Sequence, residues 1–456
     1  MYNLDTSAKT PLHIQLYEAI KYDITTNLAV GSKLPSIRKV SQEYKISKNT
    51  VESAYNQLYA EGYIESRPKS GYFVADADFL PLSNHSSMLK ESTTPPVYRY
   101  DFHPARLDKD LFPLKLYKRL FSKAINETID FGAYTDGQGE YSLRVELCRY
   151  LSTSRGVKCD PSQIVVTGAF ADAMSMIADL LQPLQYGFAI EDPGYYVTRR
   201  VFMQHGYDIT PVPVDENGLR VETLKKSDAK IVYITPSHQY PTGVSMPVSQ
   251  RLKLLAWAKE KNGFIIEDDY DSELTYRSRP IPSLQGLDTN DRVIYVGTFS
   301  KAFSPALRVG YIVLPHRLIK EYKNFHGYFS RVCLATQKTL ELFLKDGHWE
   351  RHLRKVRNLN RKKHDIMQQA INKHLGKFAK IVSEGGGLSI NIRSKYEIDT
   401  TVLNDEAQKK GIKLYFTKDH FNEKWDAIRM GFGGLKENEI ESAVKELAKI
   451  WRDLSL

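Results

Sequence analysis

Six short apolar runs between residues 163 and 315 restrict this chain more than any other feature. QIVVT (163–167), GFAIED (187–192), KIVYITP (230–236), GFIIEDD (263–269), RVIYVGT (292–298) and VGYIVLP (309–315) are rich in β-branched and aromatic residues. Segments of helical composition separate them, 172–182 and 248–260 among them. Continuous apolar runs of this length fit strands buried on both faces. Their alternation with helices predicts an α/β fold with a mostly parallel sheet, and such sheets take ligands at the carboxyl ends of their strands. Long charged helices follow from about residue 320, and a smaller α+β region covers about 380–456.

The first 75 residues have a different pattern. Leu12, Leu16, Ile20 and Ile24 repeat every four residues behind Pro11, which predicts an amphipathic helix. Pro35-Ser36 opens a second, SIRKVSQEY, and Ser47 can cap a third, in which Val51, Ala54, Tyr55 and Leu58 form the buried stripe. Gly62 ends that helix. YIESRPKSGYFVA then reads as two short strands around a Pro-Lys-Ser-Gly turn, with Arg67 and Lys69 at its tip. Three helices and a basic hairpin in this order predict a winged helix-turn-helix. A plain helical dimerisation arm with solvated lysines is the alternative. In a winged helix, Lys48, Asn49 and Thr50 stand at the exposed N-terminus of the recognition helix, where polar side chains suit a major groove and the helix end suits phosphate.

Between these two regions, DADFLPLSNHSSMLKESTTPPVYRY has no periodicity and carries paired prolines, so residues 76–98 are expected to be a linker. The predicted division is 1–75, 76–98 and 99–456. The net charge of +10 favours a polyanionic partner, although residues 1–75 contribute only +2 of it. No run of 18 apolar residues and no signal-peptide centre is present. Cys148, Cys159 and Cys333 have no metal-ligand spacing, so no metal is expected and the cytoplasm is the expected compartment.

The chemistry concentrates in three motifs. In GTFSKAFSPALRVGY, Lys301 follows a strand end among hydroxyls, with Arg308 seven residues on. A lysine amine there can form an imine with an aldehyde cofactor, while Thr298, Ser300 and Arg308 hold a phosphate. EDDYDSELTY sets Glu267, Asp268 and Asp269 at the end of an apolar strand, where carboxylates need a cation such as a protonated pyridine nitrogen. Metal binding is a competing reading, although no histidine flanks the three acids, and taken in isolation a plain solvated loop is the better one. TPSHQYPTG follows the strand KIVYI and turns polar groups back over the strand ends.

Two resemblances follow from these residues. LPSIRKVSQEYKISKNTVESAYNQLYAEGYIESRPKSGYFV resembles the GntR family, which implies DNA contacts from Arg38, Lys48, Thr50, Lys69, Ser70 and Gly71. The family usually has Arg where this chain has Lys48. A lysine binds phosphate without the bidentate geometry suited to guanine. The three motifs of the body resemble fold-type I aminotransferases, and with the winged helix they resemble the MocR-type subgroup of GntR regulators over nearly the whole chain. That resemblance implies pyridoxal phosphate (PLP), with Lys301 as the imine lysine, Asp268 on the pyridine nitrogen and Tyr270 on the ring hydroxyl. It further implies a phosphate site of Thr298, Ser300, Arg308 and the Ala169–Phe170 loop, with Tyr134 reaching it from the other subunit of a homodimer. Arg429, in IRMGF, is placed like the arginine that clamps a substrate carboxylate, and Arg199 is a second candidate for the effector pocket.

Two departures bear on function. Gly168-Ala169-Phe170-Ala171-Asp172 stands where relatives carry a Gly-x-Gln-Gln-Ala phosphate loop, and Tyr240 stands where catalytic aminotransferases place an asparagine. Together with the winged helix, they favour a transcription regulator whose body senses an amine, an amino acid or PLP itself. At most a slow transamination half-reaction is expected. The alternative is an active aminotransferase with an accessory DNA-binding domain.

Overall fold

The apolar repeats of the first 75 residues build the helices expected of them: α1 (Leu12–Thr26), α2 (Ile37–Glu43) and α3 (Lys48–Ala60). The structure, a computed structural model, describes residues 2, 4–8, 10–75, 97–182, 187–276, 281–325, 330–383, 386–417 and 426–454. The chain divides into two compact units at Pro96/Val97. The expected linker lies outside the described residues except for Val97 and Tyr98.

In the first unit, the Ser36 hydroxyl accepts from Lys39 N–H and the Ser47 hydroxyl from Thr50 N–H, capping α2 and α3. Leu16, Ile20, Val51, Ala54, Tyr55 and Leu58 are essentially inaccessible and pack into one core. Strands β1 (Ile64–Arg67) and β2 (Gly71–Val74) form the hairpin, closed by a turn that holds Lys69 at φ 61° and Gly71 at φ 105°. The segment 31–34 adds a third chain to it: Leu34 N–H donates to Tyr72 O and Val74 N–H to Ser32 O. Leu34 is also buried in the unit's core, and GSKL carries no β-type alternation that would announce this pairing.

The second unit contains β3 (Tyr100–Asp101), β4 (Ile164–Thr167), β5 (Gly187–Asp192), β6 (Ile209–Asp215), β7 (Gly218–Leu219), β8 (Ala229–Ile234), β9 (Phe264–Asp268), β10 (Val293–Thr298), β11 (Gly310–Val313), β12 (Ala379–Ser383), β13 (Ser389–Ser394), β14 (Ile412–Lys413) and β15 (Ile428–Gly431). Its helices are α4 (Leu114–Thr128), α5 (Tyr141–Arg155), α6 (Phe170–Leu181), α7 (Tyr196–Gln204), α8 (Val221–Lys225), α9 (Val248–Glu260), α10 (Leu284–Leu287), α11 (His316–Phe325), α12 (Leu334–Lys345), α13 (His348–Ala370), α14 (Thr400–Lys409) and α15 (Glu437–Leu454). The large sheet runs β4-β11-β10-β9-β8-β5-β6-β7, parallel from β10 to β6 and antiparallel at β11 and β7.

All six apolar runs become strands of this sheet. Alternate residues divide between its faces: Ile231, Tyr233, Ile266 and Ile294 pack on one side, Val232, Ile234, Ile265 and Val293 on the other. The sequence gives no warning of β6, because Pro211 and Pro213 interrupt it. β7 pairs only with Val214 and Asp215, which leaves an open edge where prolines are tolerated. The smaller region is the three-stranded sheet β12-β13-β15 packed against α13 and α15. Tyr100 and Phe102, from the start of the unit, belong to that same core, and β3 pairs with β14.

Candidate functional site

The carboxyl ends of β4, β8, β9 and β10 open into one cavity of about 890 Å³. Asp268 closes β9, Thr298 closes β10, and Ser300 and Lys301 follow at once. Behind β4, Ala169 is the N-cap of α6 with φ 72°. Arg308, just before β11, has φ 53°. A left-handed conformation is costly for side chains with a Cβ, and such strain collects at functional sites. Asp268, Tyr270, Thr298, Ser300, Lys301, Arg308, Ala169, Phe170, Arg199 and Arg429 all line this cavity. Tyr134 lies elsewhere on the surface, 89% exposed.

The acidic run does not work as one group. Successive residues of a strand point to opposite faces, so the three carboxylates have three different partners. Glu267 accepts from the backbone N–H groups of Leu284 and Gln285. Asp269 takes both a 2.6 Å and a 3.2 Å bond from Arg155, and the Tyr295 hydroxyl donates to it at 2.6 Å. Asp268 alone faces the cavity, accepting from the Tyr233 hydroxyl at 2.5 Å. The three acids therefore do not serve one cation: Asp269 meets Arg155, and Asp268 is the carboxylate left to the cavity.

Burial shapes the titration of these groups. It lifts Asp268 to about 8 against the Tyr233 hydrogen bond. Burial, then the Arg429 charge, draws the half-buried Lys301 down to about 8. Burial also pushes Asp269 upward, but Arg155 outweighs it and keeps that carboxyl below the usual range. A carboxylate and an amine thus share the cavity, each biased towards its neutral form.

Arg429 sits across from them. Its Nη1 donates to the Tyr240 hydroxyl at 2.7 Å, its guanidinium lies 4.7 Å from the Tyr240 ring centre, and its Nε is buried without a partner. Tyr240 therefore holds the arginine in place, a role an asparagine at that position could not fill by stacking. In the turn from β4 into α6, Gly168 N–H donates at 2.7 Å to Asp172 of the first helical turn, which also pairs with Arg331 at 2.5 Å. It stiffens the turn from within.

The cavity has further walls that the sequence reading missed. Tyr195 and Tyr233 line it beside Phe170 and Tyr240, with the Tyr195 ring 5.2 Å from Phe170 and 5.0 Å from Tyr240. His103 lies at its rim, with its pKa lowered by burial and by the charges of Lys301, Arg106 and Arg429. His238 places Nδ1 2.8 Å from the Asp271 carboxylate, which raises its pKa despite burial. A strand-end position for GYY and SHQ was the available signal. Nothing in the spacing says which of those side chains turns inward.

In the first unit, Arg38, Lys48, Asn49, Lys69, Ser70 and Gly71 are exposed. Thr50 is half-buried, its Oγ1 2.8 Å from the Ser47 hydroxyl. Arg67 is the last residue of β1 rather than part of the turn. It pairs with Glu65 at 2.7 Å and covers the Phe73 ring, so its charge is partly spoken for.

The family model for aminotransferase class I and II matches residues 109–446, and that for bacterial regulatory proteins of the gntR family matches residues 12–74. YhdI of Bacillus subtilis, described as an uncharacterized HTH-type transcriptional regulator, is 36% identical over 99% of this chain and 98% of its own length. The probable rhizopine catabolism regulatory protein MocR of Rhizobium meliloti is 32% identical over 91% of this chain and 88% of its own. The chain belongs to the MocR-type subgroup of the GntR family of transcription regulators. Kynurenine aminotransferase of Pyrococcus horikoshii, solved with PMP, superposes on the regulator with a TM-score of 0.69 at 23% identity, over 79% of this chain and 92% of that one. This likeness is one of fold.

The regulator's cofactor is PLP, and the donor set of the cavity fits it. The cofactor carries a basic ring nitrogen, a phosphate and an aldehyde. The cavity offers a buried carboxylate, paired hydroxyls with a guanidinium and a helix N-terminus, and a lysine of depressed pKa. Among the described residues, no helix is long and apolar enough to cross a membrane.

Proposed function

We propose that the regulator's body is a sensor for an amine, an amino acid or PLP itself, whose occupation changes operator binding by the winged helix. The observation that carries this reading is the cavity itself: Lys301 and Arg429 face one space in a chain that also carries a DNA-binding unit. Bound PLP supplies an aldehyde carbon and an electron-withdrawing ring. Lys301, neutral in a large fraction near pH 8, is the nucleophile for that carbon. Asp268 would serve the ring nitrogen and Tyr270 the ring hydroxyl, and Thr298, Ser300, Arg308 and the amides at Ala169 and Phe170 would hold the phosphate.

We assign the effector's carboxylate to Arg429, with Arg199, which lines the same cavity, as a second candidate. The Arg429 Nε–H is unpaired and buried, so an anionic acceptor there gains a charge-assisted bond. The proposed working unit is a cytoplasmic homodimer in which Tyr134 completes the partner's phosphate site. The proposed division remains a DNA-binding domain at 1–75, a linker at 76–98 and the PLP-binding body at 99–456.

Two variants test the two ends of this reading. Arg429→Ala should weaken the response to carboxylated effectors by on the order of 10- to 100-fold, matching the loss of one charged hydrogen-bonding group. Cofactor retention, read by absorbance, should be unchanged. An unaltered carboxylate response contradicts the assignment. In the wing, Lys69→Ala should lower affinity for all DNA sequences and reduce the salt slope by about one unit. A changed base preference at constant slope would make Lys69 a base reader.

A further inference from the structure

The basic charge of this chain lies mostly outside its DNA-binding unit, since residues 1–75 contribute only +2 of the net +10. Much of it gathers on one helix. From Arg351 to His364, α13 contains seven Lys/Arg and no acid. One of the seven, Lys363, is buried and paired with Asp108 at 2.7 Å. The other six, Arg351, Arg354, Lys355, Arg357, Arg361 and Lys362, are exposed. At 100° per residue they fall on one arc, opposite the buried Leu353, Val356, Asn360 and Met367.

None of the six makes an ion pair among the described residues. Arg351 donates to Asp346 O and Arg357 to Glu273 O, both backbone carbonyls. Some other surface cations of the body do have acidic partners: Lys373 pairs with Glu441, Lys409 with Glu406 and Lys449 with Glu446. Like charges at three- and four-residue spacing destabilise a helix by about 0.2–0.5 kcal/mol per pair. Glu350 and Asp365 flank this face at its two ends, and the six cations between them carry the repulsion with no acid among them.

The basic surface also extends beyond the helix. Arg354 and Arg357 line a groove of about 460 Å³ between α13 and α5, together with Arg149, Thr153, Ser154, Glu146 and Glu350. Arg149 is held by Glu146 at 2.6 Å, whereas Arg354 makes no ion pair among the described residues. At the N-terminal end of α13, the charges of Arg351 and of Arg119 from α4 help burial to depress His348.

We propose that the exposed face of α13 is a second DNA-binding surface, on the body itself, that binds the duplex backbone without reading bases. From Arg351 to Lys362 the helix rises about 16 Å. That length spans about five phosphates of one strand at about 3.4 Å of helix axis each, close to the number of free cations. The proposal rests on the DNA-binding role of the winged helix, which brings a duplex to this chain.

The test uses the full-length, PLP-loaded regulator and a 60-base-pair duplex of random sequence, with affinity measured against KCl concentration. The triple variant Arg354→Gln/Lys355→Gln/Arg361→Gln should reduce the salt slope by two to three units and weaken binding at 0.1 M salt by about tenfold or more. A control of equal charge change, Lys373→Gln/Lys409→Gln/Lys449→Gln, should leave both nearly unchanged. If the triple variant retains the wild-type slope, or both variants lose equally, α13 has no special contact with DNA and the proposal fails. If wild-type protein shows no salt-dependent binding while Lys69→Ala is also silent, the DNA-binding reading itself fails, and this proposal with it. Retained cofactor absorbance and helix content show that the substitutions leave the fold intact.

Discussion

Lys301→Ala is expected to abolish every covalent link between the regulator and its cofactor. Wild-type protein treated with borohydride should retain pyridoxyl label on the peptide containing Lys301, and the variant should retain none after denaturation. The amine is singled out by its place at the end of β10, across the cavity from Asp268. Its pH behaviour provides a second reading. With a pKa near 8, the fraction able to attack an aldehyde rises from a minority at pH 7 to a majority at pH 9. Capture of added PLP by apo-protein should therefore accelerate across that interval, with a midpoint near 8. Arg429→Gln removes a positive neighbour that disfavours the ammonium form, so the midpoint should move to higher pH. A midpoint that stays put would show that burial alone sets the amine.

Arg155→Met should be the most damaging single change to the body's stability. The ion pair it breaks is buried, with Arg155 and Asp269 each about 5% exposed or less. Removing one partner leaves an uncompensated carboxylate, at a cost of about 3–5 kcal/mol. The same arginine also donates to Ser237 at 2.8 Å, so the loop that carries His238 and Tyr240 loosens as well. The sign of the pH effect follows from Asp269. In the wild type its depressed pKa contributes stability above the ordinary carboxylate range, lost as pH falls through the folded value. Without Arg155 the buried acid titrates above its unfolded value, so its penalty grows as pH rises. The gap between variant and wild type should thus be widest near pH 8 and narrow towards pH 5. Urea titration followed by tryptophan fluorescence reports on the body, because all four tryptophans lie in it. A difference under about 1 kcal/mol at pH 8 would contradict the account.

The parts of this molecule that could be read from sequence are those whose physics is local. Strands with continuous apolar runs and helices with a four-residue repeat appear where expected, because burial periodicity fixes them. Lys301, Asp268 and Arg308 follow for the same reason, since each terminates or adjoins such a run. Tertiary contacts decide the rest. Asp269 looks like Asp268 in the sequence, yet the pleat turns it to Arg155. Phe170 reads as a lost phosphate contact, but nothing in the sequence shows that Asp172, two residues on, braces the Gly168 turn. Tyr240 reads as a missing asparagine, and across 189 residues of sequence it meets Arg429. The face of α13 is fully visible in the sequence as a run of Lys and Arg. Only the structure shows that its charges go unpaired.

The central claim is that the cavity governs DNA binding rather than steady turnover. The most direct test adds a panel of amines and amino acids to PLP-loaded regulator bound to a duplex selected by the protein from a random pool. Two quantities are read from each sample: the fraction of DNA bound, and keto-acid-dependent product formed. The account predicts at least one ligand that shifts the cofactor absorbance and changes DNA affinity while product stays below one equivalent per site. Steady transamination in the usual enzyme range of about 1–1000 per second, with DNA affinity indifferent to every ligand, would contradict it.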